Sequence, residues 1–468
     1  MSESEPKQRT FVFFHPDLGI GGAERLVVDA AVGLQKRGHK VVIYTSYCDK
    51  NHCFEEARDG TLDVRVRGNV FPASIFSRLT ILCSIIRQLH LILYIFLSGE
   101  LVALNPSTLV VDQLSAGLPL LQYLFPEPGI LFYCHFPDML LARGREKLRK
   151  RLYRAPFDWL EQWSTGYAHA IAVNSLFTKT MVEKTMPALA ARDLRVVYPA
   201  IETPADKAPH TPGTAIADTD MKWIDDGIIL SINRFERKKD IDLAIKAYAA
   251  IPAADRAATR LVIAGGYDPR VAENVDYHND LVALASSLDL PSYTAKTTIT
   301  ALSAPPIAEA PVIFLLSVPG ALKSALLAAA RLLVYTPSHE HFGIVPLEAM
   351  AAGVPVVACN NGGPLETVQE NSTGWHCDPA DVPAWTAVMR KMLPGSPTAA
   401  GALAVMKKAG PKRAEYFSVA NLAERVDRIS RDIDDTPRRR PLLTSFLNIL
   451  NIFLTFGLGL LVAQVLFP

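Results

Sequence analysis

Residues 331–363 read RLLVYTPSHEHFGIVPLEAMAAGVPVVACNNGG. RLLVYTPS (331–338) is an apolar run that turns polar only at its carboxyl end, as a strand buried on both faces of a parallel sheet should. Glu340 to Gly343 follows as a loop. Ile344 to Ala352 reads as a helix of small and apolar residues, and Gly353 is its stop. PVVACNNGG (355–363) begins another strand. Strand, helix and strand in this order make a βαβ unit, and such units build α/β domains around a parallel sheet.

The same alternation extends in both directions. GIILSIN (227–233), RLVIAGG (260–266) and PVIFLLSV (311–318) are short apolar runs with polar carboxyl ends. FVFFHP (11–16), KVVIYT (40–45), LVVDQ (109–113), ILFYCH (130–135) and AIAVNS (170–175) repeat the pattern in the first third. Gly19-Ile-Gly21-Gly22 turns the chain into a helix over Ala23–Arg37, which Gly38 ends. Between the two series lies TPADKAPHTPGTAIADTD (203–220), rich in Pro, Thr and Asp. The organisation expected is therefore an N-terminal Rossmann-like domain over 1–205, a linker over 206–220 and a second Rossmann-like domain over 221–418. A helical segment follows at 419–437, and a basic flank with an apolar tail at 438–468. The Ala-, Thr- and Pro-rich stretch 291–310 reads as a loop. Ligands of open parallel sheets lie beyond the carboxyl ends of the strands, so two such domains are expected to face each other across a cleft.

Composition excludes some functions. The chain has 468 residues, 49% hydrophobic and 20% charged, with a formal net charge of +1. No global field favours nucleic acid, and no nucleic-acid partner is expected. The six cysteines, Cys48, Cys53, Cys83, Cys134, Cys359 and Cys377, show no zinc spacing and read as thiols of a reducing compartment. MSESEPKQRT offers no apolar run for a signal peptide, so the chain is expected to start in the cytosol. PLLTSFLNILNIFLTFGLGLLVAQVLFP (441–468) carries no formal charge and follows Arg438-Arg439-Arg440. That pattern predicts a tail anchor with its bulk in the cytosol. A second apolar stretch, 75–97, contains Arg78, Arg87 and His90. It reads as a membrane-associating interfacial helix, with a plain core helix as the alternative.

Several residues stand where chemistry could occur. Arg234 and Lys239 leave the strand end of SINRFERKKD, and paired cations there suit a diphosphate. Glu348 sits in an apolar helix and needs a hydrogen-bonding partner, such as a pair of sugar hydroxyls. Glu340, eight positions earlier, would reach another part of the same ligand, with Gly343 opening backbone amides to it. Spacing alone also allows an exposed Glu340 and a Glu348 paired with a local arginine. Gly21 and Gly22 open a helix whose amides can cradle an anion, or make only a tight turn. No Asp-x-Asp metal motif stands on a strand end; Asp240-Ile241-Asp242 is a nominal match at a helix start. No metal is expected in the site.

Glu340-x7-Glu348 around Phe342-Gly343, followed by LEAMAAGVPVVA, resembles the donor signature of retaining glycosyltransferase family 4, which has the GT-B fold. The likeness covers most of 11–435. RFERKKDIDLAI resembles the family's Arg-x4-Lys motif, GGAER its N-terminal glycine loop, and GGPLET (362–367), with Glu366, the loop that closes over the donor. FFHPDLGIGGAERLVVDAA and YCHFPD resemble the branch that makes dolichol-linked oligosaccharide. That resemblance implies GDP-mannose as donor and no required cofactor. It implies two additions, one α-1,3 and one α-1,6, to mannosyl-chitobiosyl-diphosphodolichol at the cytosolic face of the endoplasmic reticulum membrane. Other glycosyltransferases of that pathway are implied as partners.

By the same resemblance Arg234 and Lys239 hold the diphosphate, and Glu348 the ribose. Glu340 holds the mannose, with Phe342, Gly343, Ile344, Glu366, Gly21 and Gly22 also at the donor. His135 resembles the family histidine near the reacting sugar, a donor to a sugar hydroxyl; a structural histidine is the alternative. Two other functions remain open: a sibling using UDP-N-acetylglucosamine on a lipid, and a catalytically silent membrane scaffold.

Overall fold

The computed structural model describes residues 8–75, 79–141, 148–202, 227–297 and 309–435. Ile201–Ser418 forms one compact unit. The residues before it, together with the helix Val419–Asp434, form the other.

The first unit is built on seven strands. They are β1 (Thr10–Asp17), β2 (Lys40–Tyr47), β3 (Asp63–Val66), β4 (Thr108–Asp112), β5 (Gly129–Cys134), β6 (Ala170–Val173) and β7 (Leu194–Val196). All pair in parallel, in the order β3-β2-β1-β4-β5-β6-β7. The run FVFF is apolar without alternation because helices cover both faces, and Phe11 to Phe14 are all buried. On one face pack the helices Gly22–Lys36 and Val419–Asp434. On the other packs the helix Thr80–Leu97.

The second unit repeats the plan with β8 (Ile228–Ile232), β9 (Arg260–Gly265), β10 (Ser292–Ala295), β11 (Val312–Leu316), β12 (Ala330–Tyr335), β13 (Val356–Cys359) and β14 (Gly374–Cys377). The order is β10-β11-β9-β8-β12-β13-β14, again all parallel. The order reverses at the centre of each sheet, between β1 and β4 and between β8 and β12, and in the second sheet β10 also lies outside β11. The crevice beyond the carboxyl ends at such a switch point is where an open parallel sheet receives a ligand.

Three expectations change. Residues 292–295 are not loop but the edge strand β10, whose short polar sequence SYTA hides its pairing with β11. The helix Val419–Asp434 is no independent segment. Its Leu422, Ala423, Val426, Ile429 and Ile433 close the core of the first unit beneath Leu26, Val27, Ala30 and Leu34. The apolar stretch 75–97 forms a helix only from Thr80, and it is both core and surface. Cys83, Ile85, Leu91, Ile92 and Ile95 are buried, while Leu93, Tyr94, Phe96 and Leu97 are exposed. It is long and apolar enough to cross a membrane by length and composition. The linker 206–220 and the tail 438–468 lie outside the described residues.

Candidate active site

The two strands at the switch point of the second sheet carry the acidic and basic residues that the sequence singles out. β8 ends at Ile232, and Asn233 leads to Arg234 and a short turn, Arg237–Lys239. β12 ends at Tyr335, and the chain crosses Thr336 to Ser338 into the loop of Glu340. The Thr336 hydroxyl donates to the Lys239 carbonyl at 2.7 Å, tying the two strand ends together. Lys239 and Glu340 meet there as an ion pair, each largely buried. Burial by itself would raise the Glu340 carboxyl; the Lys239 ammonium outweighs it and holds the group below its usual value. Burial, then the charge of Glu340, pushes the Tyr335 hydroxyl far up. Arg234 differs: its side chain is 66% exposed and pairs with Glu236 at 3.4 Å. A guanidinium largely in solvent at the end of a central strand is a cation available to an anionic ligand. The neighbours Arg237 and Lys238 pair with Asp280 and Glu236 at the surface.

Gly343 ends the loop at φ 86°, a conformation that favours glycine, and caps the helix Ile344–Ala351. Phe342 is buried and packs against Phe417 with the rings tilted, centroids 5.7 Å apart, so it offers a ligand backbone rather than ring. Ile344 is half-buried. Gly363 donates its N–H to the Glu340 carbonyl at 2.7 Å. A Cβ on Gly363 would collide with the Phe342 backbone, which explains the glycine of GGPLET. Glu366, in the turn after it, is half-buried, and its carbonyl accepts from Arg413. Glu348 stands on the helix with Oε1 on Lys323 Nζ at 2.6 Å and a buried Oε2 that has no hydrogen-bond partner among the described residues. Its partner is thus a lysine of the helix Gly320–Ala329, a residue missed in the sequence because Lys323 is remote from any motif.

In the first unit the glycine loop opens the helix Gly22–Lys36, with Gly21 as its cap in extended backbone. Glu24 folds back over Gly21, where an added Cβ would strike its carboxylate. The ends of β1, β4 and β5, which are neighbours, bring three further residues together. His15 Nδ1 lies 2.9 and 3.0 Å from the two oxygens of Asp112. His135 Nε2 lies 2.9 Å from Asp112 Oδ2. Burial disfavours charge on His15, yet Asp112 and Glu24 outweigh it and lift its pKa to about 10. Asp112 is held down to about 2: burial opposes this, and the His15 charge and the bonds from both imidazoles overcome it. Burial also works against the Glu24 charge, but His15 lowers that carboxyl. His15, Asp112 and Glu24 escape sequence reading because each is one polar residue at an element end; only the sheet order puts them together. Among the described residues no group of His, Cys, Asp or Glu is arranged to hold a metal ion.

These sites match known proteins across almost the whole chain. The pattern described as Glycosyltransferase Family 4 matches residues 20–204, and that of Glycosyl transferases group 1 matches 222–413. The α-1,3/1,6-mannosyltransferase of Neurospora crassa is 58% identical over 432 residues, 91% of either chain. The chain belongs to the α-1,3/1,6-mannosyltransferase family. A member from Kluyveromyces lactis is 46% identical, over 89% of this chain and 83% of its own. Sucrose-phosphate synthase from Thermosynechococcus elongatus superimposes with a TM-score of 0.67 at 18% identity, over 91% of this chain and 99% of that one. That likeness is one of fold, and the fold is GT-B. As a member of the α-1,3/1,6-mannosyltransferase family the chain is a glycosyltransferase, with a nucleotide-sugar donor and a glycan acceptor.

Proposed function

We propose that this mannosyltransferase takes mannose from GDP-mannose. We propose further that it adds one α-1,3 and one α-1,6 residue to mannosyl-chitobiosyl-diphosphodolichol, with retention of configuration. The observation that carries the reading is the switch point of the second sheet. There the strand end and turn after β8 carry the exposed guanidinium of Arg234 and, five residues on, Lys239, which forms a buried ion pair with Glu340. Arg234 and Lys239 neutralise the diphosphate as it leaves, which is stabilisation of developing charge by fixed groups. Binding the diphosphate draws Lys239 toward it and frees Glu340 for the mannose and the positive charge at its anomeric carbon. Glu348 Oε2, buried and unpartnered, takes a ribose hydroxyl. Amides of Gly343 and Ile344 and the loop of Glu366 complete the donor contacts of the second unit. The acceptor hydroxyl gives its proton to an oxygen of the departing phosphate.

The lipid acceptor accounts for the exposed apolar residues at the end of Thr80–Leu97 and for the uncharged tail. Both support a place at the endoplasmic reticulum membrane with the two units in the cytosol and with other glycosyltransferases of the pathway as neighbours. The deciding experiment incubates membranes carrying the protein with the mannosyl-chitobiosyl-diphospholipid and either GDP-mannose or UDP-N-acetylglucosamine, and weighs the products. Two hexoses from GDP-mannose, and none with Glu340→Ala, are expected. Transfer from UDP-N-acetylglucosamine instead, or from neither donor in a folded preparation, overturns the proposal.

A further inference from the structure

We infer that Asp112 is a positioning residue that holds His135 with its proton on Nε2, leaving Nδ1 as the acceptor of a hydrogen bond from a sugar hydroxyl. The argument starts from the sheet. β1, β4 and β5 lie side by side, and their carboxyl ends deliver His15, Asp112 and His135 to one place. The side chains are 0%, 3% and 20% exposed in that order, so solvent cannot satisfy the carboxylate between the imidazoles. An ionised carboxylate only accepts. Every ring nitrogen facing it must therefore carry hydrogen: Nδ1 of His15 and Nε2 of His135.

What keeps Asp112 ionised is His15. Its imidazole is sealed, it faces both carboxylate oxygens with one nitrogen, and its other nitrogen lies 3.9 Å from Glu24 Oε1. The two acids and the imidazolium form a compact group with a net charge of about −1, part of it exposed on Glu24. The Tyr133 ring, 4.8 Å from that of His135 and tilted by 53°, holds the imidazole plane, and its own hydroxyl is fixed on the Val197 carbonyl at 2.6 Å. An imidazole whose single proton sits on Nε2 has one lone pair, on Nδ1. The hydrogen bond it makes to substrate runs from the hydroxyl to the ring. This reverses the donor role that the resemblance implies for His135.

The inference rests on the mannosyl-transfer reading for the identity of the hydroxyl, but the tautomer does not. The test uses the full chain in detergent micelles with 15N-labelled histidine, the His135 signal being assigned by its loss in His135→Gln. Long-range 15N–1H correlations near neutral pH are expected to show hydrogen on Nε2. A proton on Nδ1 in the wild type overturns the inference, whether or not any variant folds. In Asp112→Asn the carboxamide can donate as well as accept, so a mixture of tautomers is expected. Turnover is expected to fall about 100-fold or more, with the donor KM changed less than about threefold. Unchanged turnover, or a loss that lies in donor KM alone, also overturns it. Absence of mannose transfer in the wild type sinks the functional reading and leaves the tautomer to the spectrum.

Discussion

Lys239 and Glu340 are 101 positions apart and meet only because β8 and β12 are neighbours. Glu340 is charged in a buried place chiefly through that ammonium, with His341 and Lys238 adding to it. Lys239→Met removes both the counter-charge of Glu340 and a diphosphate cation. Turnover with GDP-mannose is expected to fall about 100- to 1,000-fold, the usual cost of losing one fixed charge-stabilising group. A loss under about fivefold in steady-state kinetics sinks that role. Lys323 gives a softer case. It is partly exposed and holds Oε1 of Glu348. Lys323→Met leaves a half-buried carboxylate without its partner and free to turn. The donor KM is expected to rise about tenfold with little change in kcat, because ribose is held alike in ground and transition states. Lys323→Arg should recover most of it. At this scale the sequence singles out both glutamates and the two cations Arg234 and Lys239. It does not show that Glu340 answers Lys239 and Glu348 answers Lys323, since those pairings are made by strand order.

Loops that present the site are fixed by whole elements. The turn after His135, Asp138–Leu141, hangs on the helix Leu148–Thr165. Glu161 accepts the Asp138 N–H at 2.9 Å, and Arg154 bonds the Asp138 carboxylate at 2.6 Å. Burial pushes the Glu161 carboxyl from its ordinary 4.5 up to about 7, against the pull of backbone N–H groups and Arg154. The folded state therefore binds this proton more tightly than the unfolded chain. Its contribution to stability is fullest below about pH 4.5 and is lost as pH rises toward 7, up to about 3 kcal/mol at roughly 1.4 kcal/mol per unit. Glu161→Gln keeps the acceptor and drops the charge. It should flatten that part of the pH–stability curve and raise the melting temperature at pH 8; a lower one there counts against the account. The helix Val419–Asp434 is a second such element. A Cβ on Gly33 would lie 2.7 Å from Ala423 Cβ and 3.0 Å from the Val419 carbonyl, so the two helices touch through the glycine. Gly33→Leu is expected to cost about 1–3 kcal/mol by overpacking, read from denaturant midpoints. The sequence reads helices over 23–37 and 419–437. What each helix packs on is invisible to periodicity, which reports only that one face is apolar.

For the whole molecule, two apolar features bear on where it works. Leu93 and Leu97 stand 44% and 81% exposed on a helix whose other face is core. Ser at both should leave the fold intact and weaken binding to liposomes in flotation; equal binding would assign attachment to the tail alone. Strand runs, glycine stops and the break at 203–220 were enough to foresee two parallel α/β units, because burial on both faces writes continuous apolar runs into the chain. The two-glutamate spacing and Arg234 with Lys239 were likewise legible, since each lies within one short segment. Tertiary structure alone decided the rest. It placed SYTA as an edge strand, returned residues 419–434 to the first unit, and gathered His15, Asp112 and His135 around one carboxylate. Local sequence encodes which residues are buried and which backbone is turned. The partner of a buried charge is set by the order of strands in a sheet, which forms between residues some hundred positions apart.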